Sequence, residues 1–198
     1  MTSPPTPRDR ATDKRAAILD AALALFAERG FHGTAVPAVA ERAGVGAGTI
    51  YRYFPSKEAL VNELYRTWKQ EIARRVIGAL SADAPPRAQF HALWTAIARF
   101  ARQHPTAFAF LELHHHADYL DADSRQVEDR VVAAAVAVIE RAQRAGAVRA
   151  GPPLLLLFVV YGALVGAVRA EAEGRIQLTD DHLAAAEDMC WAAIAAPS

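Results

Sequence analysis

The sequence predicts an all-α fold of about nine helices, and three observations carry that expectation. No segment alternates apolar and polar residues at period two for long enough to make a strand. Apolar residues instead recur every three or four positions, as at Leu60, Leu64, Trp68, Ile72, Val76 and Leu80. Glycines, prolines and short polar residues fall between these stretches, where helices begin and end.

Residues 1–9 are rich in Pro, Ser and Thr and are expected to form a disordered arm. Ile18, Leu19, Ala22, Leu25, Phe26 and Arg29 then trace one face of a helix that Gly30 stops, with Phe31 folding back on its end. A short helix fits Val36 to Ala43, capped by Thr34 and tolerating Pro37 in its first turn. Another fits Ala47 to Phe54 and is interrupted by Pro55. Ser56 suits the N-cap of a long fourth helix, whose stripe from Leu60 to Leu80 reads as a connecting rod. The stretch ADAPPR breaks it. Two helices follow, about Ala88 to Gln103 and Pro105 to His116. Asp123 with Gln126 resembles a capping box for a helix running to about Ala145. Pro152 and Pro153 open a very apolar helix that ends near Gly174. Thr179 caps the last helix, with Asp180 and Asp181 placed on its N-terminal dipole.

Hydrophobic residues make up 53% of the 198-residue chain and charged residues 22%, which places it among globular proteins. Twenty-two basic residues balance twenty-two acidic ones, so net charge points to no partner. The first 69 residues hold ten Lys/Arg against seven Asp/Glu, a mild excess of +3. The one cysteine, Cys190, rules out an intrachain disulfide. With no apolar core in the N-terminal stretch to mark a secretory signal, a cytoplasmic location is expected. The longest apolar run, Leu154 to Val168, is fifteen residues and shorter than the roughly 20 that span a bilayer. No membrane association is expected.

The stretch AGVGAGTIYRYF, from Ala43 to Phe54, sets glycines at positions 44, 46 and 48. A dinucleotide loop would need a preceding strand, and a nucleotide-binding P-loop would need Gly-Lys-Ser/Thr; neither is present. The spacing of Ala40, Gly44, Val45 and Ile50 fits a helix-turn-helix instead. A small residue lets the second helix approach, a glycine takes the left-handed turn, and two apolar residues close the small core. The second helix then presents Ala47, Gly48, Thr49, Tyr51 and Arg52 to a major groove.

From Arg15 to Leu64 the chain resembles the DNA-binding domain of the tetracycline-repressor (TetR) family, with AERAGV, GTIYRYF and SKEAL in the family's order and spacing. The rest matches that family only in being helical and of suitable length. The resemblance implies DNA contacts at Thr34, Ala47, Gly48, Thr49, Tyr51, Arg52, Tyr53 and Lys57, with Thr34, Tyr53 and Lys57 on phosphates. Arg8, Arg10, Lys14 and Arg15 are expected to add phosphate or minor-groove contacts. Two departures stand out. Gly46 occupies a position where the family often has a capping Ser or Thr, and Ala35 and Ala38 lack a capping box. Ala47 and Gly48 bring no hydrogen-bonding side chains, so direct base reading leans on few residues.

The resemblance divides the chain into the arm, a DNA-binding domain over 10–55, and an effector-binding and dimerisation domain over 56–198. It implies double-stranded DNA and a small-molecule effector as partners, and a homodimer through the last two helices, about 152–174 and 179–195. The function expected is a ligand-responsive regulator, a repressor on a palindromic operator. Candidate effector-lining residues are Trp68, Trp94, Phe108, Leu111, His115, Phe158 and Tyr161, with Phe90 and Tyr119 beside them. A regulator answering to a protein partner is a further alternative. So is a metal-dependent protein built on His114, His115 and His116, with His91 or His104 completing the site. Three consecutive helical positions point about 100° apart, so all three cannot hold one ion. No HExxH, paired CxxC or catalytic triad is present, so neither an enzyme nor a bound cofactor is expected.

Overall fold

The computed structural model describes residues 7–81 and 83–197, with side chains from Asp13 onward. Among these residues the chain forms nine helices and no strand: α1 (Pro7–Arg29), α2 (Val36–Arg42), α3 (Ala47–Tyr53), α4 (Lys57–Ala79), α5 (Pro86–Gln103), α6 (Pro105–Glu112), α7 (Ala122–Arg144), α8 (Pro153–Ala172) and α9 (Asp180–Ile194). Most of the expected disordered arm, residues 1–6, lies outside the described residues. Residues 7–9, expected in that arm, belong to α1.

The chain divides into two compact units, and the division is not a simple cut along the sequence. One unit comprises the residues through Trp68 together with Thr106–Ser124; the other comprises Lys69–Pro105 and Arg125–Ser198. In the first, Ile18, Ala22 and Phe26 of α1 pack in a core with Val39 of α2, Ile50 of α3 and Leu60 of α4, each no more than 1% exposed. Phe108 and Phe110 of α6 are equally buried, and the Phe110 ring lies 6.3 Å from that of Phe26. In the second unit, Trp94 of α5, Leu164 of α8 and Leu183 and Cys190 of α9 form one buried cluster. A smaller cluster joins Ala142, Val148, Leu156 and Ile194. Glu187 of α9, 5% exposed, is held by the guanidinium of Arg87 and by His91 Nδ1 at 2.9 Å.

Caps and stops explain most helix ends. Ser56 caps α4 by accepting the Ala59 N–H at 3.1 Å, and Thr179 caps α9 by accepting that of His182 at 3.2 Å. The start of α7 and the end of α6 differ from expectation. The cap of α7 is Asp121 rather than Asp123: its Oδ1 accepts the Ser124 N–H at 2.8 Å. Burial opposes ionisation of Asp121, but the hydrogen bonds from Ser124 and Arg66 outweigh it and hold the carboxyl below the usual carboxylate range. And α6 stops at Glu112, so His114, His115 and His116 leave the helix instead of continuing it.

Helix α8 is longer than its apolar run, because Pro153 and the residues through Ala172 extend it to 20 residues. By length and composition alone, with a mean hydropathy of 2.0 over its most apolar stretch, it could cross a membrane. Its exposed side chains lie on one stripe, with Leu154, Leu155, Phe158 and Val159 all more than 45% exposed. On α9, Met189 is 70% exposed.

Candidate nucleic-acid interface

The turn between α2 and α3 is built as its glycines require. Gly44 has φ +66°, the left-handed conformation, and the chain closes a Schellman cap around it: Val45 N–H donates to Ala40 O at 3.0 Å and Gly44 N–H to Glu41 O at 3.1 Å. Gly46 then takes the N-cap position of α3 with φ −70° and ψ 146°, and no side chain caps that end. The Thr49 N–H donates back to Gly46 O at 2.8 Å, which leaves the N–H groups of Ala47 and Gly48 to solvent or to an anion.

Of the seven residues in α3 only Ile50 is buried. Ala47, Gly48, Tyr51 and Arg52 are exposed, Tyr51 at 54%, while Thr49 and Tyr53 are half-buried. Nothing stands within 4 Å of where a Cβ would project from Gly48. These six residues thus share one short helix that buries a single side chain inward and offers an aromatic ring, a guanidinium and bare backbone outward.

Thr34 and Lys57 behave differently from what the resemblance implied. Thr34 is 1% exposed, and its hydroxyl donates inward to Gly30 O (2.8 Å) and Leu25 O (3.1 Å). It does not cap α2, whose N-cap is Ala35. The hydroxyl is spent on carbonyls in the last turns of α1 and just past its end, so it does not reach outward to a phosphate. Lys57 Nζ donates to Phe31 O (2.9 Å) and Thr34 O (3.0 Å) and sits 4.0 Å from the Phe31 ring centroid. Its charge closes the α1–α2 loop rather than standing free. Arg15 is likewise engaged, with Glu63 at 2.5 Å and over the Phe54 ring, while Lys14 is exposed. The side chains of Arg8 and Arg10 lie outside those described.

Thr34→Val keeps the volume and removes the single hydroxyl donor that the Gly30 and Leu25 carbonyls share. The cost is about 1–2 kcal/mol. Thermal unfolding should therefore shift down by about 2–8 °C, with DNA affinity of the folded protein unchanged. Lost affinity at an unchanged melting temperature would return Thr34 to the DNA face.

The candidate effector residues are drawn from both compact units. Trp68, Phe108, Leu111 and His115 belong to one compact unit and Trp94, Phe158 and Tyr161 to the other. Phe108 and Leu111 are core residues, 1% and 4% exposed. Trp94 is buried with its indole N–H donating to Leu183 O at 3.1 Å. Phe158 is 55% exposed, on the outer stripe of α8, and His115 also faces solvent. Trp68 and Tyr161 are half-buried. A groove of about 590 Å³ opens between α4 and α5, lined among others by Arg75, Ala79, His91, Thr95 and Arg99, and it includes none of these seven residues.

The histidine run is dispersed as well. His114 Nε2 lies 2.8 Å from Ala27 O, and His116 Nε2 lies 2.6 Å from Phe110 O. A carbonyl can only accept, so each Nε2 carries the proton. His116 Nδ1 then accepts from the Tyr119 hydroxyl at 2.8 Å. Burial, with Asp118 nearby, pushes that phenol up to about 12, so it stays a donor. Among the described residues no group of three or more His, Cys, Asp or Glu side chains is arranged to hold a metal.

Asn62 and Gly33 were not singled out from the sequence. Asn62 is 2% exposed although Glu58 and Arg66 stand four residues to either side of it on α4, so no local pattern marked it. A Cβ on Gly33 would stand 2.3 Å from Arg29 O, so the loop after α1 needs a glycine there.

Comparison with known proteins agrees with this geometry. The family model described as bacterial regulatory proteins, tetR family, matches residues 18–64. The model described as tetracyclin repressor-like, C-terminal domain, matches residues 65–196. The chain is 27% identical over 158 residues to the HTH-type transcriptional regulator YhgD of Bacillus subtilis, covering 77% of this chain and 83% of that protein. It is 34% identical over 96 residues to the HTH-type transcriptional repressor KstR2 of Rhodococcus jostii, about half of each chain (48% and 47%). Among solved structures, a TetR family protein from Vibrio parahaemolyticus superimposes with a TM-score of 0.73 at 31% identity, over 93% of this chain and all of that one. A TetR family regulator from Marinobacter aquaeolei VT8 shares the fold with a TM-score of 0.83 at 23% identity, over 96% of this chain and 100% of its own. Two family models that together run from residue 18 to 196, laid over a helix-turn-helix with an outward-facing second helix, show that the chain belongs to the tetR family of bacterial regulatory proteins and is a ligand-responsive transcriptional regulator.

Proposed function

We propose that the protein is a repressor that binds a palindromic operator as a homodimer, reads it with α3, and is released by a small-molecule effector. The observation that carries this reading is α3 itself, in which six of seven residues are left available for DNA. Ala47, Gly48 and Thr49 open the helix against the groove, Tyr51 and Arg52 reach bases or phosphates, and Tyr53 flanks them. One such helix covers only a few base pairs, so a twofold dimer is needed to read two half-sites about 34 Å apart. The exposed apolar stripe of α8, with the adjacent face of α9, supplies a self-complementary surface for that dimer, and we assign it there rather than to a lipid contact. The place of action is the cytoplasm. Selection of duplexes from a random-sequence pool by the purified full-length chain tests the reading. It should recover an inverted repeat whose half-sites are one helical turn or a multiple apart. Recovery of no duplex, or of a single unrepeated half-site, overturns it.

A further inference from the structure

The segment after α6 is built into the DNA-binding unit, 57 residues away in sequence from the part of α4 it touches. Asn62 is almost fully buried and spends its side chain on that junction: Nδ2 donates to Glu58 O and to Tyr119 O, both at 2.8 Å, and Oδ1 accepts the Asp121 N–H at 2.9 Å. One turn later Arg66 holds Asp121 at 2.9 Å and Ser124 at 3.1 Å. The segment so pinned presents the Tyr119 ring to Phe31, in the loop between α1 and α2. The two rings stack at 4.2 Å with 23° between their planes. Phe31 is the residue whose ring and carbonyl both receive Lys57, and the same ammonium holds Thr34 O, just before the N-cap of α2. Tyr119 is fixed at its far end too, through His116 to the last turn of α6.

We propose that Tyr119 and Asn62 are positioning residues for operator binding: they hold the segment after α6 against Phe31, and the Phe31–Lys57 contact sets where α2 and α3 begin. This rests on the reading of α3 as the DNA-contacting helix. Neither residue touches DNA in this account. Displacement of residues 113–121 by anything bound against α6 would release the Phe31 ring and let the loop ahead of α2 move, while the core of the unit stays packed. The stack carries the effect, and the Tyr119 hydroxyl only orients the ring.

The test uses the full-length protein and the duplex that the wild type recovers from a random-sequence pool. Tyr119→Leu should bind that duplex at least about tenfold more weakly, within the range by which residues remote from a ligand alter affinity. The NMR signal of the Lys57 ε-methylene should move downfield in the same variant, as the Phe31 ring no longer stays above it. Tyr119→Phe keeps the stack and should bind within about twofold of wild type. The inference is overturned if folded Tyr119→Leu binds like wild type, or if Tyr119→Phe loses as much as Tyr119→Leu. Should Tyr119→Leu not fold, Phe31→Leu removes the other half of the stack and is judged by the same limits. A wild-type chain that recovers no duplex overturns the functional reading and this inference with it. A wild type that binds while the leucine variant binds equally overturns this inference alone.

Discussion

Tyr51→Ala should weaken operator binding by about 30-fold to 20,000-fold while leaving the fold and its melting temperature unchanged. The size follows from symmetry. Losing one base- or phosphate-contacting side chain costs about 1–3 kcal/mol, and a twofold dimer loses it in both half-sites, so the total is about 2–6 kcal/mol. The unchanged fold follows from exposure: at 54% exposed, truncation of Tyr51 opens no cavity, and substitutions at such positions stay within about 0.5 kcal/mol. Alternatively, an aromatic that merely packs would show the reverse, a lower melting temperature with affinity retained. Anisotropy titrations at one fixed salt concentration, beside thermal melts, separate the two. The bareness of Ala47 and Gly48 makes the case sharper, because few other α3 side chains can compensate. Tyr51→Phe divides the effect further between the ring and the hydroxyl.

The legible parts of the sequence were those governed by local rules. Gly30, Gly44, Gly146 and Gly174 all take positive φ at helix ends, and such stops are visible in a single line of residues. The helix-turn-helix was legible for the same reason, since its small core is made by residues ten apart. What was not legible depended on direction. Thr34 and Lys57 carry groups suited to phosphates, and nothing local says that both turn inward to serve the end of α1. The end of α6 was missed because Leu113 to His116 contains no breaker; the His116 imidazole stops it by turning back to Phe110 O. The extent of the DNA-binding unit was hidden by sequence distance, since Asn62 meets its partners at Tyr119 and Asp121. In α8 the difficulty was uniformity. A helix apolar on all sides has no period to show which face looks outward, so Phe158 read as a lining residue although it lies on the outer stripe.

Two readings of its role, effector lining or dimer contact, make Phe158 the most informative residue in the second unit. Phe158→Asp should convert the dimer to a monomer at micromolar concentration, raising the dissociation constant by at least about a thousandfold. In the isolated chain the substitution is mild, because the side chain is already 55% exposed and a carboxylate there remains in water. In a twofold dimer it is severe, because each copy places its charge against the partner's apolar stripe and every cost is counted twice. Exposure alone is not the cause, and Ile77→Asp provides the control. Ile77 on α4 is 61% exposed yet lies off the α8–α9 face, so its variant should stay dimeric. Sedimentation velocity reads both. If Phe158 instead lined an effector cavity, its aspartate variant would sediment as a dimer and bind operator normally without effector. As a dimer residue, its loss should take operator binding with it, since a monomer offers one α3 to a single half-site. The two readings of one phenylalanine thus differ in a measurement that needs neither the effector nor the operator to be known.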